Sequence, residues 1–147
     1  MKENQIYLEK LTNVAYPSKE QIFSPSENYP EYPFEDIANE KNDIYSGIRN
    51  LLFNMGLDKE NYGTKNWNPL GELINQDDKV VIKPNFVMDY NEDKNSNIEC
   101  LITNASIIRV VCDYLYIARK EKEFELIIAD SPLQFAKFDK IITNSHL

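Results

Sequence analysis

Two stretches decide the fold of this chain: KVVIKPN at residues 79–85 and FELIIADSP at residues 124–132. Each is a short apolar run bounded by turn residues, which is typical of a buried strand in a parallel sheet. Residues 104–119 repeat apolar side chains at helical spacing, with Thr103 or Asn104 as the N-cap. Strand, helix and strand in this order predict one right-handed βαβ unit. We therefore expect an α/β fold, a small and mostly parallel sheet with flanking helices.

A further helix is predicted for residues 42–55 because apolar side chains recur there on one helical face. These side chains are Ile44, Ile48, Leu51, Leu52 and Met55. Asn42 or Asp43 is expected to cap its start, and Gly56 to end it. Weak alternation over residues 6–11 predicts a first strand.

Residues 16–40 combine prolines with aromatic residues. Four prolines, at positions 17, 25, 30 and 33, exclude a helix or a central strand. The aromatic residues argue against a disordered linker, so we expect an irregular, extended arm that packs its rings on the domain or on a partner subunit. A surface loop with some packed tyrosines is the alternative. Residues 1–147 as a whole are expected to form a single domain.

Charge and cysteine content limit the function classes. The chain carries 24 acidic and 16 basic residues, a formal net charge of −8, and no basic patch, which argues against nucleic acid as a partner. No apolar run approaches the length of a membrane span, and no signal peptide is recognisable. Cys100, Cys112 and the single His146 are too few soft ligands for a zinc or iron–sulfur site. We expect no zinc or iron–sulfur site, two reduced core thiols and a cytoplasmic protein, and metal dependence stays open.

Both strand ends carry polar residues. The carboxyl ends of parallel strands share one sheet edge, where ligand crevices form in open α/β sheets. Lys83 would hold an anion there, and the helix start at Asn104 would add positive potential. In the alternative interpretation, Lys83 only extends into solvent from its strand end and Asn85 caps a turn.

Asp130 is the acidic residue at the same edge. It would bind a metal, orient a sugar hydroxyl, or act as an acid or base paired with Lys83, and these two residues are the catalytic candidates. An Asx turn or a helix cap before Pro132 is an equally good interpretation of Asp130. The candidate ligand contacts around the pair are Asn85, Thr103, Asn104, Ser106 and Ser131.

Three motifs in order resemble the domain of unknown function 362 family. They are DKVVIKPNFV at residues 78–87, the helix led by Ile102-Thr103 up to Arg109, and IIADSP at residues 127–132. In that family a strand ending in I-K-P-N, a threonine-led helix and a strand ending in G-D-S-P or G-D-A-P follow one another. The likeness spans roughly residues 6–140, and residues 61–71 are similar to a branch found beside genes for cell-surface polysaccharide synthesis.

The resemblance implies that this chain is the N-terminal half of a longer domain. If the active site needs the second half, this chain is inactive alone, and the sheet edge left free by the missing half would favour a homodimer. Asn104 stands where the family usually has histidine, so no catalytic histidine is carried over. The cysteines of the relatives that carry a ferredoxin-like segment are absent.

Three functions follow as expectations. The first is a domain that binds or acts on an anionic small molecule, a sugar phosphate or carboxylate, in surface-polysaccharide biosynthesis. The second is a non-catalytic binding or assembly module, or a truncated inactive relative. The third is an iron–sulfur-linked redox protein, which two scattered cysteines support poorly. The cofactor, and whether the chain is an enzyme, stay open.

Overall fold

The computed structural model describes residues 5–18, 23–120, 122–145 and 147. Within these residues the chain is a small α/β fold with three helices and a two-stranded parallel sheet. In chain order the elements are α1 (Asp43–Asn54), β1 (Lys79–Ile82), α2 (Ala105–Arg119), β2 (Glu125–Ile128) and α3 (Phe138–Ser145). Two short 3-10 turns, Lys59–Asn61 and Gly71–Leu73, lie between α1 and β1.

The sheet is covered on one face. β1 and β2 pair in parallel with Lys79 opposite Glu125, and Val80 and Ile82 pack with α2 in a shared apolar cluster. Val81 points to the other face because side chains alternate along a strand, and it is 56% exposed. The prediction of fully buried strands is therefore wrong, since among the described residues the packing of α2 covers only one side.

The helix ends follow the predicted capping chemistry. The Asn42 side chain accepts a hydrogen bond from the Tyr45 N–H at 3.1 Å, and Asn104 accepts one from the Ser106 N–H at 3.0 Å. Gly56 follows α1 with a φ of +79°, a left-handed conformation that glycine adopts without strain. The helices predicted for residues 42–55 and 104–119 are confirmed to within a residue or two.

α2 is the central element of the fold, because it contributes to all three apolar clusters. Val110 and Tyr114 pack with Trp67 in the first cluster, and Leu115 packs with the sheet residues in the second. Ile108 packs in the third cluster against Ile141 of α3. Most of the circumference of α2 is consequently buried.

A buried arginine joins the segment before α1 to the core. Arg49 of α1 donates to both carboxylate oxygens of Glu31, at 2.6 and 3.2 Å, and both side chains are less than a tenth exposed. Its guanidinium also lies 4.3 Å from the ring centre of Tyr29 and 4.4 Å from that of Tyr62. Burial, followed by the charge of Glu27, raises the pKa of Tyr29 to about 12, so this ring stays neutral beside the ion pair.

A second arginine repeats this arrangement on α2. Arg109 donates to Asp113 at 2.8 Å, to Asp36 at 3.0 Å and to the hydroxyl of Tyr32 at 3.0 Å. The Tyr45 hydroxyl donates to the other Asp113 oxygen at 3.2 Å. Burial raises the pKa of Asp113, and the hydrogen bond from Arg109 opposes that shift. Two ion-pair networks thus fasten residues 31–36 to the helices.

The buried side of α1 differs from the predicted apolar stripe. The buried positions are Tyr45 and Arg49, one turn apart on the same side, and Gly47 on the opposite side, whereas Met55 is 39% exposed. A hydrophobic pattern could not identify the side of Tyr45 and Arg49, because one of these two residues is a charged arginine whose charge is neutralised by Glu31.

At the ends of the chain one prediction is wrong and one helix was not predicted. Residues 6–11 form no strand, and Ile6 and Leu8 are 95% and 84% exposed, because no described strand lies beside them. The helix α3 was not predicted, since eight residues contain too few apolar repeats to identify a helix. Ile141 is its fully buried anchor. His146 lies outside the described residues.

Both cysteines are free, Cys100 exposed and Cys112 half-buried. The prediction of two core thiols is therefore wrong for Cys100, which lies on the polar loop after β1. Burial raises the pKa of the Cys112 thiol, which keeps it protonated. In the part of the chain that the structure describes, no helix is long and apolar enough to cross a membrane.

The Glu31–Arg49 pair gives the first testable prediction. Glu31→Ala leaves a buried guanidinium without its partner, so we expect the free energy of unfolding to fall by about 3–5 kcal/mol in a urea titration. Glu125→Ala is the matched control, because its ion pair with Lys79 is exposed and should contribute at most about 1 kcal/mol. Equal losses for the two variants would contradict the role assigned to the buried pair.

Candidate functional site

The two catalytic candidates meet at the carboxyl edge of the sheet. The Ala129 N–H donates to the Ile82 carbonyl at 3.0 Å, which extends the ladder beyond the strands and aligns their ends. Lys83 Nζ then lies 2.7 Å from Asp130 Oδ1. The structure therefore brings together the pair that the sequence analysis selected.

The Asp130 carboxylate is held by three donors. Besides Lys83 it accepts the Phe86 N–H at 2.6 Å and the Ser131 N–H at 2.8 Å, and its side chain is 5% exposed. These hydrogen bonds, that of Lys83 first, lower the pKa of Asp130. A carboxylate so held is a weak base, and its contacts favour a structural bond between the strand ends. Its predicted catalytic role stays a prediction.

Two hydrogen bonds join Asn85 to Thr103. The Asn85 N–H donates to Thr103 Oγ1 at 2.8 Å, and the Thr103 N–H donates to the Asn85 carbonyl at 2.8 Å. Beside them, Phe86 and Ile102 form an isolated antiparallel bridge. The threonine hydroxyl thus fastens the segment after β1 to the start of α2.

At the start of α2, donors of the first helical turn bind to Asn104. Asn104 Oδ1 accepts both the N–H and the hydroxyl of Ser106, at 3.0 and 2.8 Å, and Ser106 is fully buried. The Ile107 N–H donates to the Asn104 carbonyl at 3.0 Å. Asn104 thus satisfies several donors at this helix start, and its part in an anion site stays a prediction.

A cleft of about 630 Å³ lies next to α3, and we name it the edge cleft. Its walls are the segments that follow β1 and β2, together with α3. Two hydrogen bonds join the segments, from the Leu133 N–H to the Val87 carbonyl at 3.1 Å and from the Lys137 N–H to Asp89 Oδ1 at 2.9 Å. Its lining residues are Asp89, Tyr90, Phe135, Lys137, Asp139, Lys140, Thr143 and Asn144.

The edge cleft contains two lysines that the sequence analysis missed. The salt bridges among the described residues involve neither Lys137 nor Lys140, in contrast to Lys83. Phe135 is 81% exposed and Tyr90 50%, so aromatic surface lies beside the two charges. The signal was the spacing of Lys137, Lys140 and Asn144, which places all three on one side of a helix. It went unnoticed because α3 was not predicted.

Some of the predicted ligand contacts form hydrogen bonds within the fold, and others lie exposed at the surface. Thr103, Asn104 and Ser106 serve the chain itself, while Asn85 and Ser131 are exposed at the strand ends. Asn104 also lines a separate cavity of about 270 Å³. Within the described residues, no group of three or more histidine, cysteine or acidic side chains is arranged to hold a metal ion.

Comparisons with known proteins found no match. No family model matches the chain, and no curated protein and no solved structure is similar enough to match it. The resemblance to the domain of unknown function 362 family therefore stays an expectation that depends on its three motifs.

The Asp130 carboxylate gives the second prediction. Asp130→Ala leaves the buried Phe86 N–H unpaired, so we expect the free energy of unfolding to fall by about 1–3 kcal/mol at neutral pH. Because the pKa of Asp130 is lowered on folding, its contribution is complete above the unfolded pKa of roughly 3.9 and is lost as the pH falls through the folded value.

Urea titrations at neutral pH and near the folded pKa check this dependence, with the conservative variant Asp130→Asn alongside. The difference in unfolding free energy between the wild-type chain and Asp130→Asn should be constant above the unfolded pKa of roughly 3.9 and narrow as the pH falls below it. A gap that stays constant over the whole range would show that the ionised carboxylate contributes nothing.

Proposed function

We propose that this chain binds an anionic small molecule in the edge cleft. The observation that supports this most is the pair of ammonium groups, Lys137 and Lys140, that line this cleft without a salt-bridge partner among the described residues. Clefts with a few convergent polar groups are the usual small-molecule sites.

The lining suggests the chemistry of the ligand. Two ammonium groups suit a phosphate or carboxylate, and the exposed rings of Tyr90 and Phe135 suit an apolar or planar part beside it. Asp89 and Asp139 also line the cleft, so two carboxylates stand beside the two ammonium groups; Asp89 is 9% exposed and its Oδ1 accepts the Lys137 N–H. Sugar phosphates belong to this class. A role in surface-polysaccharide biosynthesis depends on the family resemblance alone.

Lys83 has a different place in this proposal. Its side chain is 67% exposed but its ammonium already lies 2.7 Å from Asp130, so it joins the strand ends more than it attracts the anion. Asn85 and Ser131, exposed beside it, do not line the edge cleft, and their contact with a ligand stays a prediction. The chemistry that would follow binding, if any, is not part of the proposal.

The proposal includes the finer architecture expected from the sequence. We infer that β1, α2 and β2 form a right-handed βαβ unit and that residues 16–40 act as an arm. Parallel pairing with an intervening helix supports the first inference, and the ion pairs of Glu31 and Asp36 support the second. Two free cysteines agree with a cytoplasmic location.

The two lysines of the edge cleft give the third prediction. Pyrophosphate and citrate at about 100 times their dissociation constants should stabilise the folded chain by about 2.7 kcal/mol, measured as a raised thermal midpoint. The double variant Lys137→Ala, Lys140→Ala should lose this rise, because both charges that attract the anion are gone.

The matched control is the double variant Lys79→Ala, Lys120→Ala, which removes the same charge from exposed positions outside the cleft. It should keep the rise in midpoint, and Lys83→Ala should keep most of it. A rise lost equally in both double variants would mean that only the net charge matters. A rise lost in Lys83→Ala alone would move the site to the strand ends.

A second candidate function is assembly with another copy of this chain. The specific observation is the open face of the sheet, where Val81 is 56% exposed. Parallel sheets are almost always covered on both faces, and a two-stranded sheet is marginal by itself. A second copy that packs against this face would provide the missing cover.

The fourth prediction tests this assembly. We expect size-exclusion chromatography with light scattering to give a dimer mass for the wild-type chain and a monomer mass for Val81→Asp, because the charge would be buried in the interface. Leu73→Asp is the control, since Leu73 is 60% exposed but lies outside the sheet. A wild-type monomer at all concentrations would exclude self-assembly.

A further inference from the structure

The edge cleft has two carboxylates that a purely anionic ligand would leave without a partner. Asp89 and Asp139 line it together with the ammonium groups of Lys137 and Lys140. None of these four side chains forms a salt bridge within the part of the chain that the structure describes. Two negative and two positive charges cancel, so a ligand that carries only negative charge is repelled by the carboxylates as well as attracted by the lysines.

Asp89 has one carboxylate oxygen that a ligand can reach. The residue is 9% exposed, and its Oδ1 accepts the Lys137 N–H at 2.9 Å. Its Oδ2 accepts no hydrogen bond among the described residues. It is also not one of the enclosed polar atoms that lack a partner, which are Ser24 Oγ and Asn68 Oδ1. Oδ2 is therefore accessible on a residue that lines the cleft, and a largely buried carboxylate oxygen of this kind forms its strongest hydrogen bond with a cationic donor.

Asp139 is the second carboxylate of the cleft. It is exposed in the first turn of α3, and its backbone carbonyl accepts the Thr143 hydroxyl at 2.9 Å. An acidic residue in the first turn of a helix also interacts favourably with the helix dipole, so Asp139 alone would not indicate a ligand. Its position in the same cleft as Asp89 gives it a part in the argument.

Two aromatic side chains add to the groups that suit an ammonium ion. Phe135 is 81% exposed and Tyr90 is 50% exposed, and both line the cleft. Among the described residues, no lysine or arginine of the chain lies over either ring. The face of an aromatic ring attracts a cation, so these rings favour an ammonium group of the ligand.

We propose that the ligand of the edge cleft carries an ammonium group as well as an anion, as amino acids and amino-sugar phosphates do. This inference rests on the function proposed above and narrows its ligand class. The anionic group binds Lys137 and Lys140, and the ammonium group binds Asp89 Oδ2 beside the aromatic rings. A ligand with both charges satisfies the lysines and the carboxylates together, which a simple anion does not.

Matched ligands test this proposal in isothermal titration calorimetry with the full chain at neutral pH. Phenyllactate has a hydroxyl in place of the ammonium group of phenylalanine, and phenethylamine lacks the carboxylate. Phosphoethanolamine and ethyl phosphate repeat the comparison with a phosphate as the anion. We expect the ammonium-bearing anion to bind about tenfold more tightly than its matched anion, because a hydrogen bond between two charged groups is lost in the latter.

Asp89→Asn removes the carboxylate charge and keeps the shape of the side chain. It should abolish the preference for the ammonium-bearing anion, while phenyllactate and ethyl phosphate bind at least as tightly as before. Glu92→Gln is the matched control, because it removes the same charge from an exposed residue that does not line the cleft, and it should keep the preference. The double variant Lys137→Ala, Lys140→Ala should lose the binding of every anion.

Equal affinities within both matched pairs would overturn this inference and leave the anion site of the edge cleft standing. The same conclusion follows if the preference persists in both Asp89→Asn and Asp139→Asn. Phenethylamine binding more tightly than phenylalanine would also overturn the inference, because the lysines would then have no part in it. The absence of binding by all five ligands would overturn the proposed function as well. If Asp89→Asn does not fold, the wild-type comparison and Asp139→Asn still decide the question.

Discussion

The buried ion pair between Arg49 and Glu31 is the constraint on which the rest of this structure depends. A guanidinium is tolerated in a protein interior only when its charge and donors are satisfied, and here a bidentate carboxylate, the Tyr62 hydroxyl and aromatic faces do so. Because Glu31 lies before α1, this requirement fixes an irregular segment on the helices, and the first apolar cluster packs around it.

Some positively charged side chains of this protein are paired within the fold, and others are not. Arg49, Arg109 and Lys83 each have carboxylate partners and hold segments together. Lys137 and Lys140 form none of the salt bridges among the described residues, so they are the positive charges available to the ligand proposed for the edge cleft. The net charge of −8 argues against an anionic ligand. Whether an individual lysine or arginine is paired within the fold or accessible is therefore a better guide to a ligand site than the net charge.

Sequence reasoning succeeded where local rules decide the outcome. Apolar repeats and the Asn42 and Asn104 caps were sufficient to place α1 and α2, and two short β-branched runs located the strands. It failed where long-range contacts decide. The burial of Arg49 depends on Glu31, and the saturation of Asp130 depends on Phe86, 44 positions away. α3 is too short to show a period, and the lysines of the edge cleft were missed with it.

The central position of α2 has a consequence for how this chain opens. Because one helix contributes to every apolar cluster, no cluster can separate from the others without disrupting the packing of α2. Local opening is confined to elements with few buried contacts, such as the half-covered strands and the loop after β1. The amide protons in the middle of α2 therefore exchange with solvent only when the whole molecule unfolds, and their exchange rate measures its global stability.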